Sequence, residues 1–137
     1  QINRILVLIL FFSFFSCKKD NQPQVIPNTY VDIQINLSNI EYQPLQTVGG
    51  HVNINGGVRG IIVYRANNSY IAFERNCPNA PERDCATVSV DSSNLYIQCP
   101  CCTSQFDFEG SVTSGPSPYP LKRYPTSVSS NFLTIRN

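Results

Sequence analysis

Apolar and polar residues alternate from Val31 to Leu37, with Val31, Ile33, Ile35 and Leu37 separated by Asp32, Gln34 and Asn36. A period of two sends one set of side chains to a buried face and the other to water, the pattern of a half-buried strand. Shorter apolar runs follow. Ile61 to Tyr64 and Tyr70 to Phe73 flank Asn67-Asn68, a turn signal. Val88 to Val90 and Leu95 to Ile97 flank Asp91-Ser92-Ser93-Asn94, which predicts a hairpin. Gln105 to Phe108 precedes Glu109-Gly110, and Leu121 to Tyr124 and Phe132 to Ile135 lie either side of Ser129-Ser130-Asn131. No segment sustains a helical period and no stretch repeats another. Many short strands with frequent turns predict an all-β sandwich or barrel of antiparallel sheets.

The first part of the chain reads differently. Arg4 precedes an apolar run from Ile5 to Phe15, interrupted only by Ser13. That run is short for a bilayer span and fits the hydrophobic region of a secretion signal. It ends in Phe14-Phe15-Ser16-Cys17, followed by Lys18-Lys19-Asp20. This box is similar to the cleavage site of bacterial lipoproteins of the Bacteroidetes type. In such signals the chain is cut before the cysteine, which then carries lipid. The expected division is a signal peptide over 1–16, a lipidated Cys17 with a linker over 17–29, and one domain over 30–137. The linker expectation rests on a polar stretch containing Pro23 and Pro27. Removing 16 of the 137 residues leaves 121, enough for one core. The expected location is the bacterial cell envelope, with the chain held to a membrane through lipid on Cys17.

A formal charge of +1 argues against a nucleic-acid surface. Five of the six cysteines cluster in two stretches, Cys77-Pro78-Asn79 through Cys85 and Cys99-Pro100-Cys101-Cys102-Thr103-Ser104. Export would put them in an oxidising compartment, where disulfides persist. The single histidine, His51, lies upstream of both stretches, so no site with two imidazole ligands can be built. Asp107 has no neighbouring histidine with which to form a nucleophilic triad. Lys122 and Arg123 suit either a partner contact or a solvated strand face.

The two cysteine loops resemble those of the Rieske iron–sulfur family, in which Cys-x-His and Cys-x-x-His hold a [2Fe–2S] cluster through two cysteines and two histidines. The resemblance puts Cys77 and Cys99 at the family's cysteine ligands, Asn79 at the first histidine and Cys102 at the second. It implies a disulfide between Cys85 and Cys101, and a structural serine at Ser104 that hydrogen-bonds a bridging sulfide. Thr103 stands where a glycine is usual, and Phe106-Asp107 stands for Tyr-Asp. Gly115-Pro116-Ser117-Pro118 with Pro120-Leu121 is similar to the family's proline-rich covering loop. The likeness runs over about residues 45–137 and implies antiparallel sheets bearing two cysteine loops at one tip.

With Cys17 lipidated and Cys85 bridged to Cys101, the thiols of Cys77, Cys99 and Cys102 remain beside Asn79. Three outcomes are chemically open. A [2Fe–2S] cluster can sit on three thiolates and a poor fourth ligand. A further disulfide from Cys77 to Cys99 or Cys102 can staple the tip with no cofactor. Zinc can bind if Cys85 or Cys101 supplies a fourth thiolate. The functional expectations are a one-electron carrier, not a catalyst, or a cluster-free binding or structural subunit working with an unidentified envelope partner. An oxygenase would need a second, catalytic iron domain, for which the chain has no room.

Overall fold

A computed structural model describes residues 25–137. The expected signal segment and Cys17 lie outside the described residues. Eleven strands and one 3-10 helix follow in the order β1 (Asp32–Asn36), the 3-10 helix (Ile40–Gln46), β2 (His51–Ile54), β3 (Ile61–Arg65), β4 (Tyr70–Glu74), β5 (Ser89–Val90), β6 (Ile97–Gln98), β7 (Gln105–Phe106), β8 (Val112–Ser114), β9 (Arg123–Tyr124), β10 (Thr126–Ser129) and β11 (Phe132–Arg136). They form three antiparallel sheets with strand orders β1-β11-β10, β2-β3-β4-β9 and β5-β6-β7-β8. Among the described residues no helix is long and apolar enough to cross a membrane.

The β2-β3-β4-β9 sheet is the middle layer, and its side chains alternate between two cores. Ile61, Val63, Tyr70, Ala72 and Tyr124 face Val31, Ile35, Leu133 and Ile135 of the first sheet. Ile62, Ile71 and Phe73 face Val88, Ile97 and Phe106 of the third sheet, together with Cys77 and Cys99. A strand covered on both faces needs apolar residues at successive positions, which is why β3 and β4 read as continuous apolar runs. β1 has one covered face, so it alternates: Val31, Ile35 and Leu37 are buried and Asp32 is exposed.

The expected β3–β4 hairpin forms, with Ile61 opposite Glu74 and Arg65 opposite Tyr70. Elsewhere the strands are shorter than the apolar runs. Leu95, expected to begin a strand, is 74% exposed, and β6 starts only at Ile97. Phe108 lies past the end of β7, where its ring stacks on Tyr64 with centroids 4.2 Å apart.

At one end of the middle sheet, Glu74 ties three segments together. Its side chain is fully buried. One carboxylate oxygen accepts from the backbone N–H of Val58 at 2.8 Å and the hydroxyl of Tyr124 at 2.7 Å. The other accepts from the backbone N–H groups of Arg59 and Asn76, both at 2.9 Å. Gly57 makes this approach possible. A Cβ there would lie 2.1 Å from the Glu74 carboxylate, and its φ of +61° also favours glycine.

Candidate metal centre

Two loops leave the sheets at the Glu74 end. Loop one connects β4 to β5. It is entered through an isolated bridge between Asn76 and Thr87, and Cys77 N–H donates to Ala86 O at 2.9 Å. Its far side is held by Arg59, whose guanidinium donates to the carbonyls of Asp84 at 2.9 Å, Arg83 at 2.8 Å and Pro81 at 3.3 Å. Arg59 therefore links the turn anchored on Glu74 to the body of loop one.

Loop two connects β6 to β7 in a tight turn. Cys99 N–H donates to Ser104 O, and Thr103 N–H donates to Cys99 O, both at 2.9 Å. Thr103 takes the left-handed φ of +62° that glycine would adopt more easily, and its hydroxyl donates to Cys102 O at 2.6 Å. The turn thus forms without glycine. A disulfide between Cys85 and Cys101, with 5.2 Å between the Cα atoms, joins the loops.

A third segment covers the tip. Ser117 N–H donates to Ser104 Oγ at 3.0 Å, and Ser117 Oγ donates to Tyr119 O at 2.9 Å. Gly115 packs so closely that a Cβ would lie 2.5 Å from Ser104 Cα. The Gly-Pro segment is therefore seated directly against loop two.

These contacts bring the thiols of Cys77, Cys99 and Cys102 within 4.8 Å of one another. Cys77 and Cys99 are buried and Cys102 is partly exposed, and all three are free. Cys77 Sγ and Cys102 Sγ are 3.8 Å apart. Cys102 Sγ also lies 3.1 Å from Ser104 Oγ. Because Ser104 Oγ already accepts from Ser117, its own proton is free to serve a thiolate at Cys102.

The environments of the thiols differ. Burial pushes the Cys77 thiol well above the usual thiol range, and its bond to Cys99 adds to this against an opposing backbone N–H from Asn79. Burial also raises Cys102, but the Ser104 hydroxyl and backbone N–H and the thiols of Cys99 and Cys77 outweigh it, bringing Cys102 down to about 7. The site pairs a thiol brought down to about 7 with a buried one whose neutral form is favoured.

Of the residues singled out in the sequence, Cys77, Cys99, Cys102 and Ser104 converge. Asn79 is partly buried, two residues after Cys77. His51 pairs with Tyr64 on β2 and is not among the grouped ligands. Asp107 Oδ1 accepts from the N–H groups of Glu109 and Ser111, which shapes the β7–β8 turn. Lys122 Nζ donates to Pro27 O at 3.3 Å and to Asn28 Oδ1 at 3.2 Å, holding the N-terminal segment. Sequence reasoning missed Glu74 and Arg59. The available signal was Gly56-Gly57 directly before Val58-Arg59, since adjacent glycines mark a close backbone approach.

The family model for the Rieske [2Fe-2S] domain matches residues 38–125. No curated protein matches the chain. Among solved structures, the chain is similar to the cyanobacterial plasma membrane Rieske protein PetC3 from Synechocystis PCC 6803, with a TM-score of 0.55 and 20% identity over 80% of this chain and 100% of that one. It is also similar to the ferredoxin of carbazole 1,9a-dioxygenase from Nocardioides aromaticivorans IC177, with a TM-score of 0.50 and 19% identity over 80% and 98% of the two chains. A third likeness is to a chain in a complex of reduced oxygenase and oxidized ferredoxin in carbazole 1,9a-dioxygenase, at a TM-score of 0.51 and 18% identity over 82% and 94%. At these identities the likeness is one of fold.

Proposed function

The chain belongs to the Rieske [2Fe-2S] domain family, and on that premise we propose that it is a one-electron carrier of the bacterial cell envelope whose cluster is held by Cys77, Cys99 and Cys102. The observation that carries this reading is the convergence of three free thiols within 4.8 Å at the tip of the two loops. Thiolates are the usual protein ligands of iron–sulfur clusters, so the donor set fits the group in kind. The resemblance leaves Asn79, a poor neutral donor, at the fourth position. When bound, the cluster would supply a centre that takes up and releases one electron.

The protein's own residues set the conditions for that chemistry. Cys77 and Cys99 are core residues and hold their sulfurs away from water. The Cys102 thiol donates to Ser104 Oγ, whose own hydroxyl can serve Cys102 once it is a thiolate, and the Gly115–Pro118 segment covers Ser104. A third thiolate in place of an imidazole adds negative charge, which lowers the reduction potential. With no histidine among the grouped ligands, electron uptake lacks the imidazole proton coupling of a two-histidine centre. We place the protein at a membrane through lipid on Cys17, with an envelope protein as its electron partner. The support is the lipoprotein-like box before Cys17 and the polar stretch that follows it.

The test is iron and acid-labile sulfide analysis of anaerobically purified mature protein, with redox titration from pH 6 to 9. Two irons per chain and a potential independent of pH are expected. Protein that incorporates no iron with its three thiols still free would overturn the reading. It would leave a cluster-free binding subunit, a role supported by the Cys85–Cys101 disulfide and the covering loop, which hold the tip together without metal.

A further inference from the structure

We infer that the cluster-free protein is a preorganised site for a single thiophilic cation of the Zn2+ or Cu+ class, bound by Cys77, Cys99 and Cys102 together. This uses the same thiols as the function proposed above but does not depend on the cluster.

Two thiolates on one tetrahedral ion, each at about 2.3 Å from the metal, are about 3.8 Å apart. Cys77 Sγ and Cys102 Sγ stand at 3.8 Å. The remaining sulfur separations are all within 4.8 Å, so a small closing movement completes a three-thiolate site. The three thiols are therefore close enough to serve one ion.

The surroundings favour the same occupant. Soft thiolate donors select Zn2+ and Cu+ over hard cations. Asp107 is spent on the β7–β8 turn, and Glu74 on four hydrogen bonds, so neither contributes a hard oxygen ligand. Cys85 and Cys101 are bridged to each other, which leaves the set at three protein ligands. Cys77 and Cys99 form the buried floor, and Cys102 is the partly exposed member through which an ion reaches it. On binding, three metal–sulfur bonds form, and the protons still held by the thiols pass to solvent with no electron transferred.

The experiment is an anaerobic titration of the metal-free chain, first with Zn2+ and separately with Cu+, each against a chelator of known affinity. Native mass spectrometry reads stoichiometry, and a thiol reagent reads protection. The expected result is one ion per chain with all three thiols protected and the Cys85–Cys101 disulfide intact by mass. Cys102→Ser, at the exposed rim, should keep the fold and weaken binding by more than the 10- to 100-fold that loss of a merely supporting residue costs. Failure to retain one equivalent of either ion would overturn the proposal, as would a Cys102→Ser variant that binds as tightly as the parent. Retention of only one of the two ions names the occupant. Iron and sulfide content reports separately on the cluster, so either reading can fail alone.

Discussion

Replacing Glu74 with glutamine tests what holds the tip in place. Its carboxylate is fully buried and accepts four hydrogen bonds, three from backbone N–H groups and one from Tyr124. In Glu74→Gln, the remaining carbonyl oxygen keeps two donors. If the amide NH2 takes the oxygen facing Val58 and Tyr124, the phenol can turn to accept, but Val58 N–H has no acceptor. A buried donor left unpaired costs about 1–3 kcal/mol. The bonds from Arg59 and Asn76 also fall from charge-assisted to neutral strength, a further loss of about 1 kcal/mol each. Against these stands the relief of no longer burying a charge. The net expectation is a destabilisation of about 2–4 kcal/mol, or roughly 8–16 °C in Tm at about 4 °C per kcal/mol for a domain of this size. Thermal unfolding followed by circular dichroism reads it directly. A Tm that is unchanged or raised would show that burying the charge costs more than its four hydrogen bonds return, and the clasp would lose its assigned role.

Four further outcomes are expected. Burial and the bond to Glu74 raise the Tyr124 phenol above its ordinary value. Its contribution to stability should be complete below about pH 10 and fall as pH rises past that point toward the folded value, because the unfolded chain then releases the proton first; urea midpoints at pH 7, 9 and 11 should show Tyr124→Phe losing part of this alkaline dependence. Replacing Cys85 and Cys101 together with serine opens a loop of sequence separation 16 and should cost about 3 kcal/mol, read as a lower urea midpoint; an unchanged midpoint would refute the pairing. Asn79→His with Cys102→His should give a Rieske-type electron paramagnetic resonance signal in the iron-loaded protein while Cys102→His alone does not; a signal in the single variant would refute the placement of Asn79. Gly115→Ala puts a Cβ 2.5 Å from Ser104 Cα at a φ of +90°, and should speed amide exchange at Ser117 by lifting the covering loop.

Where one physical pattern dominated a segment, the sequence was readable. The alternation from Val31 to Leu37 followed from one covered face, and the apolar runs of β3 and β4 from two. The cysteine loops were legible because their spacing matched a known loop pair. β10 was not legible, since its Ser127, Val128 and Ser129 are all exposed and no period marks it. The 3-10 helix over Ile40–Gln46 contains Pro44 and buries only Leu45, so it left no helical stripe to read. Glu74 was hidden for a different reason. A carboxylate at the end of an apolar strand looks solvated until Val58 and Arg59 from one distant part of the chain and Tyr124 from another are brought to it beside the neighbouring Asn76. The closeness of Cys102 to Cys77 was likewise invisible, because spacing along a loop does not give distance between loops.

The membership of Cys77 and Cys99 in the second hydrophobic core has a consequence for how the protein matures. In a zinc finger, metal binding supplies the free energy of folding, and the apo chain is unfolded. Here the apolar packing around Phe73, Val88, Ile97 and Phe106, together with the Cys85–Cys101 bridge, supplies contacts at the tip that do not depend on a metal. On the proposed function, folding and loading would then be separable events. The supply of metal, rather than the supply of protein, would then set how much of the proposed carrier is loaded.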